Sequence, residues 1–188
     1  MSVQDIKNLF SDSPIIAAVP QSRMEIAARS HCPVIFVLRS NVLTLKRYIG
    51  LAHEAGKKVF VHIDLCEGLG KDKSGVELLK IFGADGILST HAQLIKEAKN
   101  KGLCTVQRFF ALDSKGIGDM AEQISNSSPN FVEIMPGIAT KIITKFASGN
   151  ISVIAGGLIE TPDEVKAALE GGAVAVSTGK SELWENYD

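Results

Sequence analysis

Hydrophobic positions in this chain fall in short dense runs, separated by stretches where they recur every three or four residues. The dense runs lie at 15–19, 34–38, 58–64, 87–88, 104–109, 131–134, 151–155 and 173–177. Bounded by Gly, Pro or polar residues, they read as buried parallel strands. The intervening stretches read as helices. One carries Met24, Ile26 and Ala27; the next, 43–55, places Leu45, Ile49 and Ala52 on one face, with Gly56 as its stop. Asp72 predicts an N-cap for a helix bearing Val76, Leu78, Leu79 and Phe82, and Ser89-Thr90 predicts another for Leu94, Ile95 and Ala98, closed by Gly102. Further helices are expected over 117–124 and 138–146, and over 162–169 with Thr161 as N-cap and Pro162 at the first helical position. Before the first strand, Ile6, Leu9 and Phe10 can form one apolar face.

Eight strands alternating with at least seven helices, joined by short connections, argue a parallel sheet with helices outside. The polar residues of the strands cluster at their ends, which favours closure into a compact (β/α)8 TIM-type barrel over an open doubly wound sheet. The expected organisation is one such domain over 1–188, with 1–13 as an N-terminal extension.

At 188 residues the chain is short for a barrel of this kind, so its loops must be short. Hydrophobic residues make up 45% and charged ones 22%, and the formal charge is −1, so nucleic acid would need a local patch. Cys32, Cys66 and Cys104 are odd in number and form no CxxC, which argues against a disulfide framework or a zinc site and for a reducing, cytoplasmic setting. No signal peptide and no membrane span are expected.

In a barrel the C-terminal strand ends meet at one rim, which here collects His62, Asp64, Ser89, Thr90, Gln107, Arg108, Glu133, Pro136, Gly156, Gly157, Ser177, Thr178 and Gly179. The last two strands end in Gly156-Gly157 and in Ser177-Thr178-Gly179. Lying side by side, these loops can offer N–H groups, two hydroxyls and the start of a helix at Lys180 to a phosphate, or the glycines can simply supply turns. The strand from Lys58 to Asp64 alternates and leaves His62 and Asp64 on one side. Asp64 and Glu133 can act as general bases, can contact a ligand, or can pair with Arg108. No lysine occupies a strand interior, and no GxSxG, HExxH or P-loop pattern occurs.

The segments KKVFVHIDL, GLGKD, ADGILST, TVQRFFALDS, VEIMPGI and VIAGGLIETPDEVKAALEGGAVAVSTG, followed by LW, resemble the glycerol-3-phosphate-responsive antiterminator family of bacterial glycerol uptake operons, from Ile15 to Trp184. The resemblance implies a barrel that binds glycerol 3-phosphate as an effector, binds leader mRNA when loaded, and performs no turnover, with no cofactor and no metal. Phosphate would sit on Gly156, Gly157, Ser177, Thr178 and Gly179, and the glycerol hydroxyls would meet His62, Asp64, Gln107, Arg108 and Glu133. Gly179 stands where a hydroxyl residue is expected, and Glu160 and His91 stand where relatives are basic. Candidate RNA-facing charges are Lys57, Lys58, Lys71, Lys73, Lys96, Lys99, Lys101, Lys141 and Lys145. The alternative is a phosphate-binding barrel enzyme for a small phosphorylated substrate, with Asp64 or Glu133 as general base. A homo-oligomer is compatible with either.

Overall fold

A computed structural model describes residues 3–111, 114–149 and 151–185. The eight barrel strands are β1 (Ile15–Val19), β2 (Val34–Val37), β3 (Lys58–His62), β4 (Gly86–Ser89), β5 (Cys104–Phe110), β6 (Phe131–Met135), β7 (Val153–Gly156) and β8 (Ala175–Thr178). Every neighbouring pair is parallel, and β8 closes on β1, giving the expected (β/α)8 barrel. The helices are α1 (Val3–Asp12), α2 (Met24–Arg29), α3 (Val42–Glu54), α4 (Lys73–Ile81), α5 (Ala92–Asn100), α6 (Ser114–Ser127), α7 (Thr140–Ala147), α8 (Pro162–Glu170) and α9 (Glu182–Glu185). No described helix is long and apolar enough to cross a membrane.

Strand alternation divides the buried residues into two clusters. Val59, Val61, Ile87, Val132, Ile134, Val153 and Val176 face the helices, and Val34, Phe36, Phe60, Leu88, Val106, Phe131, Ile154 and Ala175 fill the barrel. The N-terminal apolar face becomes α1. Ile6 and Phe10 join the inner cluster, with Phe10 edge-on to Phe131 at 5.6 Å between ring centroids, so α1 packs with the barrel's filling. With that filling, only the last inward layer is available for polar groups.

Several local signals act as the sequence predicts. Asp72 accepts N–H bonds from Ser74 and Gly75 at 2.8 and 3.0 Å, and Thr161 and Glu164 form a reciprocal capping box at α8. Gly56 and Gly102 follow α3 and α5 with φ of 75° and 78°.

Three expectations need correction. First, β3 ends at His62, and Ile63–Leu65 forms a 3₁₀ turn, so Asp64 leaves the strand alternation. Second, α5 is not capped by Ser89-Thr90. His91 is its N-cap, without a side-chain capping bond; Ser89 and Thr90 precede the cap and donate to Asp64, and Ser89 Oγ also accepts from His91 N at 3.0 Å. Third, the last helix begins at Glu182 and lasts one turn, so Gly179 and Lys180 lie in a loop and no helix starts there. An additional parallel pair, Ser40–Asn41 with Cys66–Glu67, ties the β2 and β3 loops together beside the rim. The ALDS part of the β5 motif lies partly outside the described residues.

Candidate ligand site at the barrel mouth

The C-terminal ends of β5 to β8, with Ala18 of β1 and Leu38 after β2, enclose a cavity of about 270 Å³. Arg108 and Glu133 form its floor, Gly157, Leu158 and Gly179 border it, and Met135 and Ile159 supply apolar wall. Arg108 and Glu133 are paired in register across β5 and β6 and point into the barrel. Glu133 is fully buried: its Oε2 accepts Arg108 Nε at 2.5 Å, and its Oε1 accepts Ser177 Oγ at 2.6 Å. The internal ion pair is thus formed, and it is part of the cavity wall.

The glycines have distinct roles. A Cβ on Gly156 would stand 2.5 Å from Glu133 Oε1 and 2.7 Å from Ser177 Oγ, so Gly156 is required for that hydrogen bond to pass and does not itself border the cavity. Gly157 has φ of 74° and a Cβ there would meet Met135 Cε at 2.7 Å. Leu158 follows with φ of 60°, a left-handed conformation that is strained for a side chain branched beyond Cβ. At Gly179 a Cβ would meet only the Ala18 carbonyl, at 3.4 Å.

The hydroxyls on β8 build the loops. Thr178 Oγ1 donates to the Ile159 carbonyl at 2.8 Å and accepts from Lys180 N at 3.1 Å, so it bridges the β7 and β8 loops. Ser177 is held by Glu133. A latch that the sequence reading missed holds the β8 loop from outside: Arg23 donates to the Gly179 carbonyl at 3.0 Å and lies over the Trp184 ring, whose Nε1 donates to the Thr178 carbonyl at 3.0 Å. No local motif announces it, since Arg23 and Gly179 lie at opposite ends of the chain. Lys180, exposed at the cavity edge, pairs with Glu160 at 3.3 Å.

Of the five residues expected to meet a glycerol moiety, Arg108 and Glu133 line the cavity. Gln107 does not. It lies one residue out of phase with Arg108, and its Oε1 accepts Ser127 Oγ of α6, which places it in the helix layer. Asp64 also stands outside the cavity. Its carboxylate takes Ser89 Oγ at 2.6 Å, Thr90 N at 2.8 Å and Thr90 Oγ1 at 2.9 Å, and so organises the β3 and β4 loops. Burial opposes its ionisation, but these hydrogen bonds outweigh burial and hold its carboxyl below the ordinary range. His62 is buried, with Nε2 3.6 Å from Asp64 Oδ2, and neither ring nitrogen makes a well-aligned hydrogen bond. Burial first, then the Arg108 charge, push its pKa below 6.5; the neighbouring carboxylates and the Leu38 backbone act the other way without restoring it. Buried thiols Cys32 and Cys104 are pushed up to about 11 and about 12, chiefly by burial. Among the described residues no group of His, Cys, Asp and Glu is arranged to hold a metal ion.

Fold and site together define a barrel that offers a small charged cavity at the C-terminal ends of its strands, where barrels of this class carry their ligands. The glycerol-3-phosphate responsive antiterminator family matches residues 15–184. Among solved structures, a glycerol uptake operon antiterminator regulatory protein from Listeria monocytogenes is 35% identical, with a TM-score of 0.88 over 93% of this chain and 96% of its own. A glycerol uptake operon antiterminator-related protein from Thermotoga maritima is 36% identical, with a TM-score of 0.80 over 90% of this chain and 96% of its own. The Escherichia coli protein YgcP, itself uncharacterized, is 33% identical over 181 residues, 94% of either chain. The chain belongs to the glycerol-3-phosphate responsive antiterminator family.

Proposed function

We propose that this protein senses glycerol 3-phosphate at the barrel mouth and, when loaded, binds leader mRNA of glycerol-uptake genes so that transcription passes a terminator. The observation that carries the ligand half is the composition of the cavity. Arg108 and Lys180 supply positive charge, the Gly157 and Gly179 backbones allow close approach of a phosphate, and Glu133 and Ser177 can meet hydroxyls. At about 270 Å³ the space suits a small metabolite, since pockets for drug-sized ligands start near 300 Å³. Lys180 reaches its partner Glu160 at an exposed site, where an ion pair contributes little and can be exchanged for a phosphate.

The carboxylates support sensing over turnover. Glu133 has each oxygen in a hydrogen bond and Arg108 beside it, and Asp64 is committed to Ser89 and Thr90 outside the cavity. Neither stands as an unengaged base facing a substrate. The decisive experiment is a gel shift with leader RNA at fixed salt, with and without glycerol 3-phosphate. Retardation that increases with ligand is expected; equal retardation in both lanes, or none in either, refutes the proposal.

A further inference from the structure

Large exposed apolar side chains are unevenly placed on this molecule. Leu43, Leu65, Ile138 and Leu158 belong to segments that follow the C-terminal ends of strands, and Phe110 is the last residue of β5; only Ile26 and Ile81 lie elsewhere among the described residues. Three of the five, Leu43, Leu65 and Phe110, fall on the sector from β2 to β5, next to the ligand cavity of β5 to β8.

The cations are not equivalent: some, such as Lys46, Lys96 and Lys141 in the helices, are exposed without a described partner, and others are engaged away from the rim. Lys57, Lys58, Lys99 and Lys101, four of the lysines considered for RNA, are tied to Ser30, Asp85, Ser128 and Glu77, at the N-terminal ends of the strands or on neighbouring helices. Arg39, Lys71 and Lys73, in the β2 and β3 loops and the first turn of α4, are exposed, and no described group pairs with their side chains. Arg39 and Lys71 border one groove with Leu65 and with the carboxylates of Asp64 and Glu67, and Lys71 and Lys73 border the adjoining one with His91, Asp72 and Glu97, so Lys71 belongs to both and the cations stand among acidic neighbours with which they form no ion pair. Asp72, the acidic residue between the two lysines, is occupied in capping α4.

Phe110 completes the surface. β4 pairs with β5 up to Ser89 opposite Gln107, while β5 runs on to Phe110 opposite Met135. Phe110 therefore stands about 10 Å above the β4 end on the side of the strand used by Arg108, half exposed. Unpaired cations for phosphates and, on the same rim beyond β4, an exposed aromatic side chain for a base are the two elements of single-strand recognition.

We infer that single-stranded RNA docks on the β2 to β5 sector of the C-terminal rim, its phosphates on Arg39, Lys71 and Lys73 and a base stacked on Phe110. This placement rests on the RNA-binding reading above. The test measures binding of the leader transcript by wild-type chain, by Arg39→Gln/Lys71→Gln/Lys73→Gln, by Phe110→Ser, and by the control Lys96→Gln/Lys141→Gln/Lys145→Gln, across a salt series with glycerol 3-phosphate present. The rim triple should lose roughly tenfold or more, and its log K against log salt slope should shrink by about 2, near 0.7 for each phosphate contact removed. Phe110→Ser should lose roughly five- to hundredfold, the control should match wild type, and calorimetry should find ligand binding by the triple unchanged. RNA binding by the triple and by Phe110→Ser equal to wild type overturns the placement alone, as does an equal loss in the control or a parallel loss of ligand. A wild type that retards no RNA at any salt overturns the placement together with the reading beneath it. Sedimentation that finds a dimer broken by these substitutions, with RNA affinity intact, assigns the sector to a second copy and also overturns it.

Discussion

Replacing Glu133 by Gln is the sharpest probe of the site, because it removes one charge from a buried pair and keeps its shape. Glu133 is fully buried and Arg108 nearly so. The amide oxygen can accept from Arg108 while its NH₂ donates to the Ser177 hydroxyl, which can reverse its role, so the contacts survive but the charge does not. The variant therefore loses a charged hydrogen bond and leaves a buried guanidinium without its counter-charge. Breaking one side of such a pair costs about 3–5 kcal/mol, which for a chain of this size corresponds to a fall in Tm of about 6–20 °C. The companions Arg108→Met and Glu133→Leu should each cost a comparable amount, whereas the two combined should fall close to wild type, since the apolar pair needs no desolvation. Thermal melts by circular dichroism of wild type, Glu133→Leu, Arg108→Met and their double give the cycle, with an interaction energy of about 2 kcal/mol or more expected. If Arg108 faces the ligand, inorganic phosphate should also raise the Tm of Glu133→Gln by more than that of wild type. Single variants within about 1 kcal/mol of wild type, or strictly additive effects, would refute this account of the floor of the cavity.

Gly179→Ser should fold normally and tighten glycerol 3-phosphate binding, since its Cβ meets only the Ala18 carbonyl at 3.4 Å and its hydroxyl can reach the cavity; calorimetry finding weaker binding would reject this. Gly156→Ala, by contrast, should destabilise by about 1–3 kcal/mol in urea unfolding, because its methyl collides with Glu133 Oε1 and Ser177 Oγ. His62 has a folded pKa below 6.5, so the unfolded chain takes up a proton that the folded chain refuses. Wild-type stability should fall as pH drops from about 6.5 toward the lowered value, and His62→Gln should show a smaller loss over the same range; parallel pH profiles would count against it. Thr161→Ala should lose about 1 kcal/mol of stability by removing the α8 capping box, read by thermal melts, while leaving ligand binding as it was.

The barrel was legible because each strand is a dense apolar run and each helix has an apolar stripe with recognisable caps. The phase of the strands was not. Both faces of a barrel strand are buried, so hydrophobicity cannot tell inward from outward. In β5 that one-residue question decides between Gln107, held by Ser127 in the helix layer, and Arg108, in the cavity. Asp64 was misplaced for a related reason: the 3₁₀ turn after His62 ends the alternation that would have set the two side by side on one face. Ser89 and Thr90 have the residue types of a helix cap, but a carboxylate distant in sequence claims them. The glycine loops kept their predicted position: Gly157, Ser177, Thr178 and Gly179 line the cavity, Ser177 and Thr178 also hold its frame, and only Gly156 is withdrawn from it.

The proposed ligand site and the proposed RNA surface meet on β5 and at the end of β2. The cavity is walled chiefly by β5 to β8, with Ala18 of β1 and Leu38 after β2, and the proposed RNA sector uses β2 to β5; β5 contributes Arg108 to the first and Phe110, two residues on, to the second, and Leu38 is followed directly by Arg39. A ligand can shift an equilibrium only by binding one conformer better than another, so coupling requires a contact whose geometry differs between loaded and empty cavities. The Arg108–Glu133 pair is the group on β5 best placed for this, since a phosphate competes with Glu133 for the guanidinium and any movement of Arg108 is carried two residues along the same strand. The Gly157-Leu158 turn is the strained element on the other side of the cavity, where a change in backbone conformation costs least. If coupling runs through β5, it is reciprocal: RNA must tighten ligand by the factor by which ligand tightens RNA. Phe110→Ser should then remove both enhancements together while leaving ligand affinity without RNA unchanged, and an enhancement of either that survives the substitution places the coupling elsewhere in the barrel.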